Sequence, residues 1–150
     1  MSNIGLTTRE QEYLEAIYLL EKTKGFARIK DIAGVLEVKP PSVVEFLERL
    51  SEKKFVTYEK REQIKLTKKG KQVAEEIYHR HTALRDFLKN VLCIPEEVAE
   101  KDACYIEHGV HAKTIRNILL FQEFLEENPH VGNIIIEGFK KYLSKRLNEA

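Results

Sequence analysis

The 150-residue sequence lacks any run of roughly 18 consecutive apolar residues, the length that a membrane-spanning helix requires. Its first residues also lack the basic and then apolar pattern of a secretory signal peptide. Only two cysteines are present, Cys93 and Cys104, so a disulfide framework is excluded and the thiols are expected to be reduced or to bind metal. We therefore predict a cytoplasmic protein.

Internal repeats and low-complexity linkers are missing too, and the length of the chain allows one domain or two small ones. Its charge is unevenly distributed. Residues 1–73 contain 15 Lys and Arg against 11 Asp and Glu, a net charge of +4, whereas residues 74–150 contain 10 against 13, a net charge of −3. A basic half followed by an acidic half favours a polyanion-binding part joined to a part with another task.

The first half has the pattern of a winged helix-turn-helix. Thr7 and Glu10 have the spacing of a capping box, which predicts that a helix begins there and ends near Gly25. Two short helices joined by a tight turn, followed by two strands around a charged loop, are typical of this DNA-binding fold. The short helices are predicted over 28–36 and, opened by Pro40-Pro41, over 41–53, and the strands over 55–58 and 63–66.

The second half is predicted to be entirely helical. Thr67 suits the N-cap of a long helix that extends to about Leu92, with Gly70 as a weak point. Three more helices are predicted, from Pro95 to Gly109, over 112–127 and over 133–147. The fold class is therefore mainly α, with a winged helix-turn-helix domain over 1–72 and an all-helical C-terminal domain over 73–150.

The second helix of such a motif enters the major groove of DNA, and its first exposed residues contact the bases. Ser42 can reach a base edge or a phosphate, whereas Glu45 can accept from a cytosine amino group but is repelled by phosphate. Basic side chains around the motif would contact phosphates, which gives affinity without sequence information. The predicted DNA-binding residues are Arg28, Lys30, Lys39, Pro41, Ser42, Glu45, Lys60 and Arg61, with Phe46 also expected to be exposed. An ordinary solvated charged face is the alternative interpretation.

A second constellation favours metal binding. Cys104, Glu107 and His108 stand at i, i+3 and i+4, which places thiolate, carboxylate and imidazole on one face of a helix. The remaining ligands are predicted to be Glu12, Glu15 and His81. This mixed donor set suits Fe(II), Mn(II), Co(II) or Zn(II) better than calcium or magnesium. Without a metal, the same residues are interpreted as a small buried thiol, a surface Glu-His pair and charges at a helix start.

The chain resembles the diphtheria-toxin-repressor-like family of metal-dependent transcriptional repressors, and looks most like its short manganese-transport-regulator branch. The similar residues are spread over both halves between Thr7 and Gln122: 11–18, 27–33, 41–43, 66–70, 80–81 and 103–108. The resemblance implies a homodimer with an N-terminal winged helix and a C-terminal helical dimerisation domain. Because the sequence ends without the SH3-like third domain of longer members, a short member is expected.

The resemblance also implies that the metal candidates stand at ligand positions of the family. Glu12 matches a ligand that is aspartate in manganese-type members and methionine in iron-type members. Cys104 stands where manganese-type members have glutamate and iron-type members have cysteine. A hard carboxylate favours Mn(II), whereas a softer thiolate favours Fe(II), Co(II) or Zn(II). We therefore expect Fe(II) or Mn(II) as activator, with Co(II) or Zn(II) able to substitute. Arg85 and Glu100 replace two residues of an ancillary site of iron-type members, so that site is expected to be altered.

The predicted function is a metal-activated DNA-binding repressor that controls iron or manganese homeostasis. Since Glu12 and Glu15 precede the domain boundary and the other ligands follow it, the metal is predicted to clamp one domain to the other and so to set the spacing of the recognition helices. A winged-helix regulator that responds to a small molecule is the alternative. A metal-dependent hydrolase is disfavoured, because no nucleophile or water-activating base accompanies the ligands.

Overall fold

The computed structural model describes residues 5–59 and 63–148. These residues are mainly helical, as predicted, and divide into two compact units, one ending at His79 and one beginning at Arg80. The elements in chain order are α1 (Thr8–Lys24), α2 (Ile29–Leu36), α3 (Pro40–Glu52), β1 (Val56–Thr57), β2 (Lys65–Leu66), α4 (Lys68–Asp86), a π-helical segment (Phe87–Val91), α5 (Glu96–Glu107), α6 (Ala112–Glu127) and α7 (Pro129–Asn148).

The start of α1 is fixed by the capping box that the sequence predicts. The Thr7 hydroxyl accepts a hydrogen bond from the Glu10 backbone N–H at 3.2 Å, and the Glu10 carboxylate accepts one from the Thr7 N–H at 2.8 Å. Gly25 ends the helix in the left-handed region with φ of 81°. Glu10 is also buried against Lys53, whose ammonium lies 2.8 Å from its carboxylate, so the beginning of α1 is joined to the end of α3.

The first unit has one hydrophobic core that α1, α2, α3 and the hairpin share. Its buried side chains include Tyr13, Leu14, Ile17, Ile32, Val43, Leu47, Leu50, Phe55, Ile64 and Ala74. The tight turn between α2 and α3 places Glu37 in the left-handed region, with φ of 53°. This arrangement is the predicted helix-turn-helix followed by a small wing.

The wing strands are shorter than predicted. β1 and β2 are antiparallel with Val56 opposite Leu66 and Thr57 opposite Lys65, and Ile64 forms a bridge to Ala27 instead of extending the ladder. The backbone N–H of Thr67 donates a hydrogen bond to the carbonyl of Phe55 at 3.0 Å. Phe55 is therefore bonded to the residue that follows β2, whereas Ile64 is paired with Ala27, outside the hairpin.

Gly70, predicted as a weak point of the long helix, is also a position of close packing. A Cβ at residue 70 would lie 1.9 Å from the carbonyl oxygen of Phe55, far inside contact distance. Only glycine allows the first turn of α4 to approach that backbone. The Thr67 hydroxyl accepts from the Gly70 N–H at 3.0 Å, which agrees with its predicted capping role.

The long helix does not continue as α-helix to Leu92. It changes to π-helix after Asp86, and Cys93 follows with φ of 57°. The N–H of Ile94 bonds to the carbonyl of Leu88, six residues earlier, at 2.9 Å, which closes the end of the π-helical segment. Cys93 is therefore the left-handed residue at a helix end, and it is only half-buried.

The second unit has a smaller core than the first, centred on Leu84, Ala103 and Ile115. α7 begins at Pro129, earlier than predicted, and a Cβ at Gly132 would lie 2.7 Å from the carbonyl oxygen of Leu125. Several large apolar side chains of α6 remain exposed, among them Leu119, Phe121 and Phe124 at 47%, 36% and 45%. Within the described residues no helix has the length and apolarity to cross a membrane.

Candidate metal centre and DNA-binding surface

The predicted base-contacting residues lie at the start of α3. Lys39 is the N-cap and is exposed, Pro41 is exposed in the first turn, and Ser42 is half-buried. Glu45 is exposed and forms an ion pair with Arg49 one turn later. The beginning of the helix thus presents a cation, a hydroxyl and a carboxylate that is already paired on its own helix.

Phe46 does not belong to this surface. Its ring stacks on Tyr13 with the centroids 4.4 Å apart and the planes at 14°, and it packs against the core of the first unit. The expectation that it is exposed was therefore wrong, because α3 turns this position towards α1.

The predicted phosphate-contacting cations lie around the motif. Arg28 is the N-cap of α2 and Lys30 lies in its first turn, and both are exposed. Lys60 and Arg61, which the sequence analysis assigns to the charged loop of the wing, are outside the described residues. The described part of the predicted basic surface therefore consists of Arg28 and Lys30 at the start of α2 and Lys39 at the start of α3.

In the second unit, a buried carboxylate lies between two imidazoles. Glu107, at the end of α5, is 1% exposed. Its Oε2 is 3.0 Å from Nδ1 of His81 on α4, and its Oε1 is 3.2 Å from Nε2 of His108. Both histidine side chains are less than a tenth exposed. Since a buried carboxylate is costly unless its charge is compensated, a metal cation bound by this cluster would stabilise it.

Glu100 also approaches this cluster and was not among the predicted ligands. Its Oε1 lies 2.8 Å from Nε2 of His81, and its Oε2 lies 3.8 Å from Nη1 of Arg85. Glu100, Cys104 and Glu107 stand at i, i+4 and i+7 on α5, so helical spacing alone places the three on one face. That spacing is the signal by which the sequence would have identified it.

Cys104 is half-buried on α5, one turn before Glu107, and within the described residues neither cysteine forms a disulfide. The other two predicted ligands are on α1 of the first unit. Glu15 is 7% exposed, whereas Glu12 is partly exposed and forms an ion pair with Arg9. Within the second unit His81, Glu107 and His108 lie together, and within the first unit Glu12 and Glu15 stand three residues apart on α1.

The donor chemistry of the second unit fits a divalent transition metal, because imidazole, carboxylate and thiolate are the groups such ions accept. Family comparisons agree with this chemistry. Residues 5–64 match the model described as the N-terminal DNA-binding domain of iron-dependent repressors, and residues 67–136 match their metal-binding and dimerisation domain. The chain belongs to the iron-dependent repressor family.

Curated relatives within this family include the HTH-type transcriptional regulators MntR of Shouchella clausii and Bacillus subtilis. Each is 34% identical to the chain over 122 residues, a match that covers 81% of the chain and 85% of the relative. Among solved structures, the T. acidophilum IdeR shares 28% identity at a TM-score of 0.70, and the manganese regulator SloR shares 28% at 0.69. Each match covers 79% of this chain but 55% of the solved one, so the chain spans about half of those proteins.

Membership of the iron-dependent repressor family decides among the interpretations of the sequence. The chain is a metal-dependent transcriptional repressor with a helix-turn-helix domain and a helical dimerisation domain, and its family is one of transcription regulators, not of enzymes. The hydrolase interpretation is therefore excluded. The buried cluster around Glu107 lies within the stretch that matches the family's metal-binding domain.

Proposed function

We propose that this protein is a homodimeric repressor that binds an operator when loaded with Fe(II) or Mn(II), and that it controls the homeostasis of that metal in the cytoplasm. The observation that carries the proposal is the buried Glu107 carboxylate between His81 and His108. A divalent cation bound by these groups would stabilise the buried carboxylate.

The proposed ligands are Glu12, Glu15, His81, Cys104, Glu107 and His108. The first two belong to the DNA-binding domain, which we assign to residues 1–72, and the others to the metal-binding and dimerisation domain, 73–150. When bound, the metal supplies a cation that joins carboxylates of the first domain to the imidazoles and the thiolate of the second. In a dimer, this restricts the distance between the two recognition helices, which must be about one DNA turn, roughly 34 Å, apart.

The choice between Fe(II) and Mn(II) depends on Cys104 and Glu12. The carboxylates of Glu12, Glu15 and Glu107 are hard ligands that Mn(II) accepts, whereas the Cys104 thiolate favours Fe(II), Co(II) or Zn(II). SloR, which is 28% identical to the chain, is a manganese regulator. A mixed site of this kind is proposed to respond to Fe(II) or Mn(II) and to accept Co(II) or Zn(II) in their place.

On DNA, the start of α3 is proposed to enter the major groove. The residues proposed to lie at the bases are Lys39, Pro41, Ser42 and Glu45. The phosphates would be contacted by the cations Arg28, Lys30, Lys60 and Arg61. The ion pair between Glu45 and Arg49 would leave Glu45 free of phosphate repulsion while it accepts from a cytosine amino group.

The test is metal-dependent DNA binding. The metal-loaded protein is used to enrich double-stranded fragments from a random library, and the affinity of the enriched fragment is then measured anaerobically with Mn(II), Fe(II), Co(II) or Zn(II), and again after a chelator is added. We expect tighter binding with metal, reversal by chelator, and loss of the metal response when both Glu107 and His108 are changed to alanine. Affinity that no metal or chelator alters would overturn the proposal and favour a small-molecule regulator.

A further inference from the structure

His81 has a carboxylate at each ring nitrogen. Nδ1 lies 3.0 Å from Glu107, a proposed ligand, and Nε2 lies 2.8 Å from Glu100, which is not one. A neutral imidazole carries a proton on one nitrogen and a lone pair on the other, and only the lone pair binds a metal. The group that accepts a hydrogen bond from the protonated nitrogen therefore determines which of the two ring nitrogens can bind the metal.

The geometry distinguishes the two nitrogens. A metal that Glu107 also binds must approach the side of the ring that faces Glu107, which is the Nδ1 side. Nε2 then keeps its proton and donates it to Glu100. A carboxylate that accepts from the second nitrogen of a ligand histidine fixes the tautomer and ring orientation and raises the basicity of the ligand.

We propose, on the basis of the function proposed above, that Glu100 is a positioning residue that holds His81 as the Nε2–H tautomer and leaves Nδ1 for the metal. Its surroundings favour this role over direct ligation. Glu100 is on the outer side of the ring, with 54% of its side chain exposed, and its other oxygen faces the Arg85 guanidinium at 3.8 Å.

Arg85 makes a second cation at Glu100 unfavourable. Its guanidinium is held by Asp86, with Nη2 2.9 Å from the carboxylate, so a fixed positive charge stands beside the outer oxygen of Glu100. A metal ion bound there would be repelled at short range. Glu100 therefore acts through His81, and it does not form a metal site of its own.

The variants Glu100→Ala and Glu100→Gln distinguish a residue that positions His81 from a residue that binds the metal directly. Glutamine keeps an oxygen that accepts from Nε2–H but is a far poorer metal ligand than a carboxylate. In the zinc-loaded protein, long-range proton–nitrogen NMR correlations of the His81 ring identify the metal-bound nitrogen, with His81→Ala used to assign the signals. Zn(II) affinity is measured by competition with a chromophoric chelator, and circular dichroism confirms that each variant is folded.

In the wild-type protein we expect Nδ1 to bind zinc and Nε2 to carry the proton. Glu100→Ala should lose about 10- to 100-fold in Zn(II) affinity, as is usual when the outer partner of a ligand histidine is removed, and should lose the single tautomer. Glu100→Gln should retain most of the Zn(II) affinity and most of the preference for one tautomer. Glu97→Ala, which removes an exposed carboxylate of the same helix, is the matched control and should leave both unchanged.

Three results would overturn the inference. The first is zinc bound to Nε2 in the wild-type protein, and the second is a Glu100→Ala variant with wild-type Zn(II) affinity and tautomer. The third is a loss of Zn(II) affinity in Glu100→Gln as large as that in Glu100→Ala, which would make Glu100 a ligand. These results differ from a failure of the proposed function. If the wild-type protein did not bind Zn(II), and operator binding ignored all metals, then the proposed function would fail and the inference with it.

Discussion

Oε2 of Glu107 lies 3.0 Å from Nδ1 of His81 although the two residues are 26 positions apart in the chain. Oε1 of the same carboxylate lies 3.2 Å from Nε2 of His108. One buried anion thus has an imidazole at each oxygen, and this arrangement has different consequences with and without a metal ion.

The first prediction concerns Glu107→Gln, which preserves size and removes the charge. A ligand that binds only the folded state at 100 times its dissociation constant stabilises it by about 2.7 kcal/mol. We expect Mn(II) or Zn(II) to raise the melting temperature of the wild-type protein and to leave that of the variant nearly unchanged. Thermal unfolding monitored by circular dichroism measures this, with Glu97→Gln as control. An equal rise in both proteins would remove Glu107 from the ligand set.

The second prediction concerns metal choice. Replacing Cys104 by glutamate should raise the affinity for Mn(II) relative to Co(II) and Zn(II), because a carboxylate is a harder ligand than a thiolate. The cobalt-loaded wild-type protein should show a thiolate-to-cobalt charge-transfer absorption that Cys104→Ser lacks. Cys93→Ser is the matched control, since Cys93 lies in the turn after the π-helical segment. Retention of the absorption in Cys104→Ser, or its loss in Cys93→Ser, would contradict the assignment.

The third prediction concerns the exposed apolar face of α6. Phe124 is 45% exposed and lies within the stretch that matches the family's dimerisation domain, so a second copy of the chain is expected to cover it. Phe124→Glu would bury a charge in that interface and should shift the protein from dimer towards monomer. Leu147→Glu, at a 73% exposed position near the end of α7, is the control. Sedimentation equilibrium measures both, and an unchanged dimer in Phe124→Glu would exclude this face.

The fourth prediction concerns acid stability. Burial by itself raises the pKa of Glu10, but the Lys53 ammonium and the hydrogen bonds from Thr7 outweigh it and lower the pKa below its usual value. This stabilisation is complete above the unfolded pKa of about 4.3 and is lost as the pH falls through the lower folded pKa. Glu10→Gln should therefore lose stability at pH 7, on the order of 1 kcal/mol or less because Lys53 is partly exposed.

Denaturant unfolding between pH 7 and pH 3 tests this prediction. The stability difference between the wild-type protein and Glu10→Gln should shrink as the pH falls below about 4.3. Glu48→Gln, which changes an exposed carboxylate on α3, should show no such convergence. A difference that is constant with pH would show that the capping hydrogen bonds, and not the ionised carboxylate, carry the effect.

Local chemistry made much of the fold predictable from sequence. Thr7 and Glu10 mark a helix start because their side chains bond to backbone groups within three residues, and Gly25 marks its end because it adopts a left-handed conformation easily. The start of α3 and the end of α6 follow equally from nearby prolines. Such signals depend on neighbours in the chain, which the sequence displays.

What the sequence does not display is the set of contacts between distant residues. Phe46 has the position of an exposed residue on α3, yet it stacks on Tyr13 of another helix. The partnership of Glu100 with His81 depends on how α5 meets α4. At Gly70, a low helix propensity was visible in the sequence, whereas the approach of the Phe55 carbonyl that requires glycine was not.

The last prediction compares two glycines within helices. A Cβ at Gly34 meets no atom within 4 Å, so Gly34→Ala should stabilise the protein by about 0.5–1 kcal/mol by restricting the unfolded chain. Gly70→Ala places a Cβ 1.9 Å from the Phe55 carbonyl and forces α4 away from that backbone, so it should destabilise by more than about 2 kcal/mol. Denaturant unfolding without DNA or metal measures both. Because helix propensity alone predicts stabilisation at either site, a Gly70→Ala variant as stable as Gly34→Ala would show that the close approach of α4 to Phe55 does not constrain the fold.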